Sequence, residues 1–225
     1  MQLADRIEKR RFVGREFLLW IWCESEIFDA TLSTKEHGSF GMWIERQIVL
    51  SAGKEVTRIK GTQPAAGREA KEAIRRGKLP ETAGIHLSLG ERETTFTLKA
   101  EQLSVAGLSL PTVLGGADDE APRLLDEPGG RPPANKKKRR EGADRADAGH
   151  EVFYERMQLT TDFEAVVESL YRDFLVLRLG PAWSALVVPL LRAWAAGEAV
   201  DADAYRDARS AALRGPARRA ARAAR

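Results

Sequence analysis

The chain has 225 residues, 43% of them hydrophobic and 31% charged, with a net charge of +3 and a single cysteine. That length and apolar content supply a core of ordinary size and exclude a wholly disordered chain, and a lone Cys23 excludes an internal disulfide and a cysteine-based zinc site. The charge is uneven: from Tyr205 to Arg225 seven arginines meet one acid, Asp207, so the pI of about 9.1 describes a basic tail on a net acidic body.

Residues 14–26 read GREFLLWIWCESE, with Phe17 to Cys23 uninterruptedly apolar and acids framing the run. The run is too short for a bilayer, which takes about 20 apolar residues as a helix. No small-residue cleavage segment follows, so it is not a signal peptide. Being apolar all round, it reads as a core helix within 7–27. Residues 39–50, SFGMWIERQIVL, alternate, with Met42, Ile44, Ile48 and Leu50 on one side and Glu45 and Gln47 on the other. A second alternating segment at 55–60 completes a hairpin. Pro64 opens a helix over 65–76 that Gly77 stops. Strands at 84–89 and 94–100 form another hairpin around Gly90-Glu91-Arg92, and 103–110 adds a further strand.

Residues 1–113 therefore form an α+β region, a core helix with a meander of antiparallel strands. Over 115–149 eight acids and eight bases alternate with Pro and Gly and no hydrophobic period, so 114–150 reads as a disordered charged linker. A helical region, 151–213, packs back on the first. Thr160 or Thr161 caps its first helix, with Glu164 in capping-box position. Gly180-Pro181 separates this from a helix over 182–196 that Pro189 kinks or splits, and a third helix covers 202–213. An Arg-rich tail, 214–225, follows.

Catalytic signatures are poor. His37, His86 and His150 lack ligand-like spacing and read as ordinary surface or strand histidines. Nucleophile-elbow, phosphate-loop, dinucleotide and zinc-protease patterns do not occur. A nuclease needs clustered carboxylates for Mg²⁺; Glu91, Glu93 and Glu69 beside Lys71 read better as solvated faces. The expectation is a non-enzyme with no cofactor and no metal, a metal-dependent nuclease being the remaining catalytic alternative.

The cationic segments suit phosphate. Lys71, Arg75, Arg76 and Lys78 lie on or just after one predicted helix, with Glu69 and Glu72 partly offsetting them. Lys136, Lys137, Lys138, Arg139 and Arg140 form a basic run in the linker. Arg214, Arg218, Arg219, Arg222 and Arg225 make a stripe if the tail is helical. Each phosphate neutralised steepens the salt dependence of duplex binding by about −0.9 in the logarithmic slope, and none of these contacts reads sequence. Trp20, Trp22, Trp183 and Trp194 sit at helical spacing among apolar residues and read as packing, not as base-stacking platforms.

In order along the chain, FVGREFLLWIWCESE (12–26), IERQIVLSAG (44–53), AKEAIRRGK (70–78), ETTFTLKAEQLSVAGLSLP (93–111) and YERMQLTTDFEAVVESLYRDFLVLRLGPAW (154–183) resemble the recombination-associated protein RdgC family. These are packing patterns, not catalytic fingerprints. The resemblance implies a cytoplasmic, nucleoid-associated bacterial protein that binds duplex DNA without sequence preference, restrains RecA-promoted strand exchange and dimerises into a ring. It implies that Arg75, Arg76 and Lys78 face DNA, with recombination proteins as further partners and no membrane. The chain resembles a member lacking an amino-terminal portion of that pattern. The competing reading is a protein-interaction module with a helical docking region and no direct DNA role.

Overall fold

The computed structural model describes residues 12–62, 64–65, 67–110 and 138–214, with side chains from 13 onward in the first of these segments and from 153 onward in the last. The apolar run becomes α1 (Phe12–Ile27). Phe17 to Cys23 are each at most 8% exposed, and a fully buried side chain of this size contributes roughly 1.5–3 kcal/mol. Both sides of α1 are covered, because it lies between a sheet and a second helical layer. Gly14 permits the close approach: a Cβ there would stand 2.0 Å from the Ala100 carbonyl oxygen.

The sheet is antiparallel and six-stranded: β1 (Thr31–Thr34), β2 (Gly38–Ala52), β3 (Glu55–Gly61), β4 (Leu79–Leu89), β5 (Arg92–Lys99) and β6 (Ser104–Ser109). Its order is β1-β2-β4-β5-β6. The long β2 also pairs β3, with β1 along its first residues and β3 along its last. Both expected hairpins form, β2–β3 and β4–β5. β1 was not expected from the sequence. β4 begins five residues before the expected 84, since Pro80 is accommodated opposite Leu50 beside a register shift.

α2 (Arg68–Arg75) is shorter than the expected 65–76. Pro64 and Ala65 form a turn ahead of it, so Pro64 does not open the helix. The stop comes where expected, at Gly77 with φ +83°.

α3 (Lys138–Leu179) begins inside the segment expected as a linker; residues 111–137 lie outside the described residues. Thr160 and Thr161 are therefore interior and do not cap. Their hydroxyls donate back to the carbonyls of Arg156 (2.8 Å) and Met157 (3.0 Å), because YERMQL upstream continues the helix. A π turn, Trp183–Val187, leads into α4 (Val188–Ala196) with Pro189 in its first turn, so the stretch is split as expected. α5 (Ala202–Leu213) occupies the expected span, its first turn capped by Asp201 Oδ1 accepting from Ala204 N at 2.9 Å. The segments Phe153–Leu179 and Trp183–Ala196 meet at 93°, and among the described residues no single helix is long and apolar enough to cross a membrane. The whole is an α+β protein with the helices stacked on one side of the sheet.

Candidate nucleic-acid interface

Two cations of α2, Lys71 and Arg75, reach into contacts with α1 and α4. Lys71 Nζ lies 2.7 Å from Glu26 Oε2 and 5.2 Å from the Trp194 ring centroid. The same carboxylate accepts from Trp22 Nε1 (2.7 Å) and Trp194 Nε1 (2.9 Å), so Glu26 ties α1, α2 and α4 together. Arg75 Nε donates to the Ala195 carbonyl at 2.6 Å, and Arg76 pairs with Glu72 at 3.1 Å. Lys78 follows the helix, 13% exposed, donating to Thr57 Oγ1 at 2.9 Å and lying 3.3 Å from Glu55. Of these four, Arg75 and Arg76 are exposed, at 44% and 72%, and both lie against Glu72. Helical spacing showed a shared face but not that the face is covered by α4.

Lys136, Lys137, Arg218, Arg219, Arg222 and Arg225 lie outside the described residues. Lys138, Arg139 and Arg140 begin α3, their side chains undescribed. Arg214 closes α5 and donates Nε to the Ser210 carbonyl at 3.1 Å. The structure therefore does not gather the expected residues into one described surface.

A different cationic surface emerges on the sheet. Its inner face carries Met42, Ile44, Ile48, Ala83, Ile85, Leu87, Phe96 and Leu98 against α1. Cross-strand partners share a face, so the registers Arg58↔Val49↔Thr82↔Lys99 and Lys60↔Gln47 place Arg58, Lys60 and Lys99 on the opposite face. The described helices leave that face uncovered. Arg46, Arg58, Lys60 and Lys99 are exposed and have no acidic partner among the described residues. The polar alternation of β2 and β3 was visible in the sequence, although these cations were not singled out.

Two irregularities shape the face. Between Ile44 and Ile48 β2 bulges away from β4, Arg46 taking φ +66°. Gly84 answers the bulge, since a Cβ there would stand 2.3 Å from the Glu45 carbonyl oxygen. β6 carries a second irregularity with Gly107 at φ +62°. Between them lies a cleft of about 430 Å³. Close by, Trp43 stacks on His86 with centroids 3.9 Å apart, and His86 Nδ1 meets Glu45 Oε2 at 2.8 Å. Glu93 Oε2 lies 3.5 Å from the other ring nitrogen. Trp20, Trp22 and Trp194 are buried, as the packing reading expected, and Trp183 is half-buried with its ring 5.5 Å from that of Phe174.

No family model, no curated protein and no solved structure matches this chain.

A second polar cluster is internal but for the partly exposed Asp173. Tyr205 donates to Glu24 Oε1 at 2.7 Å and accepts from Trp20 Nε1 at 3.3 Å. Arg209 Nε stands 3.1 Å from Glu24 Oε1, and Arg209 Nη2 3.6 Å from Asp173. Burial pushes the Glu24 carboxyl up to about 7, against the opposing pull of Arg209 and the Tyr205 hydrogen bond. The cluster pins α5 to α1 and α3 and meets no described cleft. Among the described residues no group of three or more His, Cys, Asp or Glu is placed to hold a metal ion.

Proposed function

We propose that this chain is a non-catalytic, sequence-independent DNA-binding protein of recombination control that grips backbone phosphates with the open face of its sheet. The observation that carries this reading is the set of cations Arg58, Lys60 and Lys99 on the face that the described helices leave uncovered, with Arg46 at the bulge lining the cleft beside them, none with an acidic partner among the described residues. Charges that satisfy no internal acid are free to displace condensed counterions from DNA, and that release supplies most of non-specific affinity. Glycine and threonine at Gly84, Thr95 and Thr97 keep the face low between them. The resemblance to the RdgC family adds the link to RecA-type strand exchange, a bacterial nucleoid setting and a homodimer. The segments carrying that resemblance build α1, β2, α2, β5, β6 and α3, so they speak to the fold. The Arg-rich tail extends the positive field beyond α5.

The test is a salt titration on random-sequence duplex. Binding that weakens log-linearly with salt, with a slope near −0.9 per phosphate contacted, supports the reading. No binding at about 50 mM salt, where such contacts are strongest, overturns it. Removing 215–225 separates the contribution of the tail from that of the sheet.

A second reading has its own observation. Phe153, Tyr154 and Met157 on α3 are 59%, 63% and 54% exposed, an apolar group beside the Phe153–Tyr154 ring contact of 5.8 Å. A protein-interaction module would present such a group to a partner. Pull-down of a partner lost in Phe153→Ser, with no DNA binding by the native chain, would favour it.

A further inference from the structure

We infer that the cleft between the two bulges holds one unpaired nucleotide of a single strand, its phosphate between Arg46 and Lys60. This rests on the DNA-binding reading and specifies the form of nucleic acid the sheet takes. The cleft's volume, about 430 Å³, lies within the ~300–1,000 Å³ of small-ligand sites. Its floor is made of small residues, Gly84, Thr95 and Thr97. The floor cannot fill at Gly84, because the bulge places the Glu45 carbonyl oxygen 2.3 Å from any Cβ there.

The polar groups around the cleft divide into two kinds. Arg46 and Lys60 flank it, exposed and without an acidic partner among the described residues, and so suit a phosphate. The hydroxyl of Thr95 is buried without a hydrogen-bond partner, and the Gln47 amide and Thr97 hydroxyl have none among the described residues. An amide and hydroxyls both donate and accept, as the edge of an unpaired base requires. Glu45 also lines the cleft, and its carboxylate is held 2.8 Å from His86 Nδ1. A paired base has its edge engaged and is held in a stack, so a hollow of this size in a flat face admits an unpaired nucleotide and not a base pair.

The experiment measures anisotropy of a labelled oligothymidylate and of a labelled random duplex of equal length, at one salt concentration, with the full chain. The single strand is expected to bind about tenfold more tightly. Thr97→Tyr, which fills the cleft, and Gln47→Leu, which removes its amide, should each lose about tenfold on the single strand and stay within about twofold on the duplex. Circular dichroism reports whether each variant folds, and Gln47→Leu decides if Thr97→Tyr does not. Equal affinity for both forms, or equal loss on both in the variants, overturns the inference and leaves duplex binding standing. No binding of either form by the native chain overturns the DNA reading as well.

Discussion

The hydroxyl of Tyr205 donates to Glu24 across 181 positions of sequence, at 2.7 Å and inside the core. Glu24 is 0% exposed and its second oxygen, Oε2, has no hydrogen-bond partner. A buried carboxylate already short of donors tolerates little further loss. Tyr205→Phe is therefore expected to destabilise the protein by about 1–3 kcal/mol. Urea unfolding followed by circular dichroism measures it; an unchanged midpoint would show that the carboxylate is satisfied another way.

Arg209 offers a sharper contrast. Truncating it to Met leaves Glu24 and Asp173 without their shared cation and should cost about 3–5 kcal/mol. Glu24→Gln in the same background removes the stranded charge and should restore much of that loss. Thermal melts of the single and double variants decide, and simple additivity would argue against direct coupling.

The pH dependence of stability follows from the same group. Burial raises the folded Glu24 carboxyl from an ordinary 4.5 to about 7. Between those values the folded state holds a proton that the unfolded chain has released, so stability falls as pH rises through the window. Burial also raises Asp173, which adds to the fall in the same direction. Urea midpoints between pH 5 and pH 8 should drop more steeply for the native chain than for Glu24→Gln. Parallel profiles would remove Glu24 as the cause.

The two cationic sets predict opposite phenotypes. Lys71→Met breaks the contact with Glu26, a pair in which both side chains are partly exposed, and with the buried Trp194 ring, and should cost on the order of 1 kcal/mol of stability while leaving DNA affinity unchanged. Arg58→Glu with Lys99→Glu touches no internal pair and should leave the melting temperature unchanged. That double variant should weaken duplex binding and flatten its salt slope by about 2. Anisotropy beside thermal melts separates the two, and a reversed pattern would return the interface to α2.

Glycine at position 84 is set by the bulge opposite. Gly84→Ala should destabilise by about 2 kcal/mol or more, because its Cβ collides with backbone that cannot swing aside. The melting temperature measures this, and a neutral substitution would mean that the bulge relaxes.

Local signals carried much of this architecture. The alternation of SFGMWIERQIVL and the turn at Ser51 to Lys54 specify the β2–β3 hairpin. Long-range geometry was hidden. Nothing near Glu26 indicates that Trp194, 168 positions away, donates to it, nor that α4 turns Lys71 and Arg75 inward. The bulge at Arg46 left one local trace, because a plain period of two would set this charge in the apolar row between Ile44 and Ile48, but the alternation alone does not say how the chain escapes it. Thr160 and Thr161 misled for the opposite reason: their capping-box spacing is genuine, but the helix starts far upstream.

Lying between the sheet and the later helices, α1 belongs to both halves of the chain at once. A break anywhere in 111–137 would leave the first fragment with one flank of Phe17, Trp20 and Trp22 bare, and the second without the surface that Phe174 and Trp194 pack on. The two fragments are thus complementary halves of one core. Co-expressed, they should recombine without a covalent connection, and neither should persist alone.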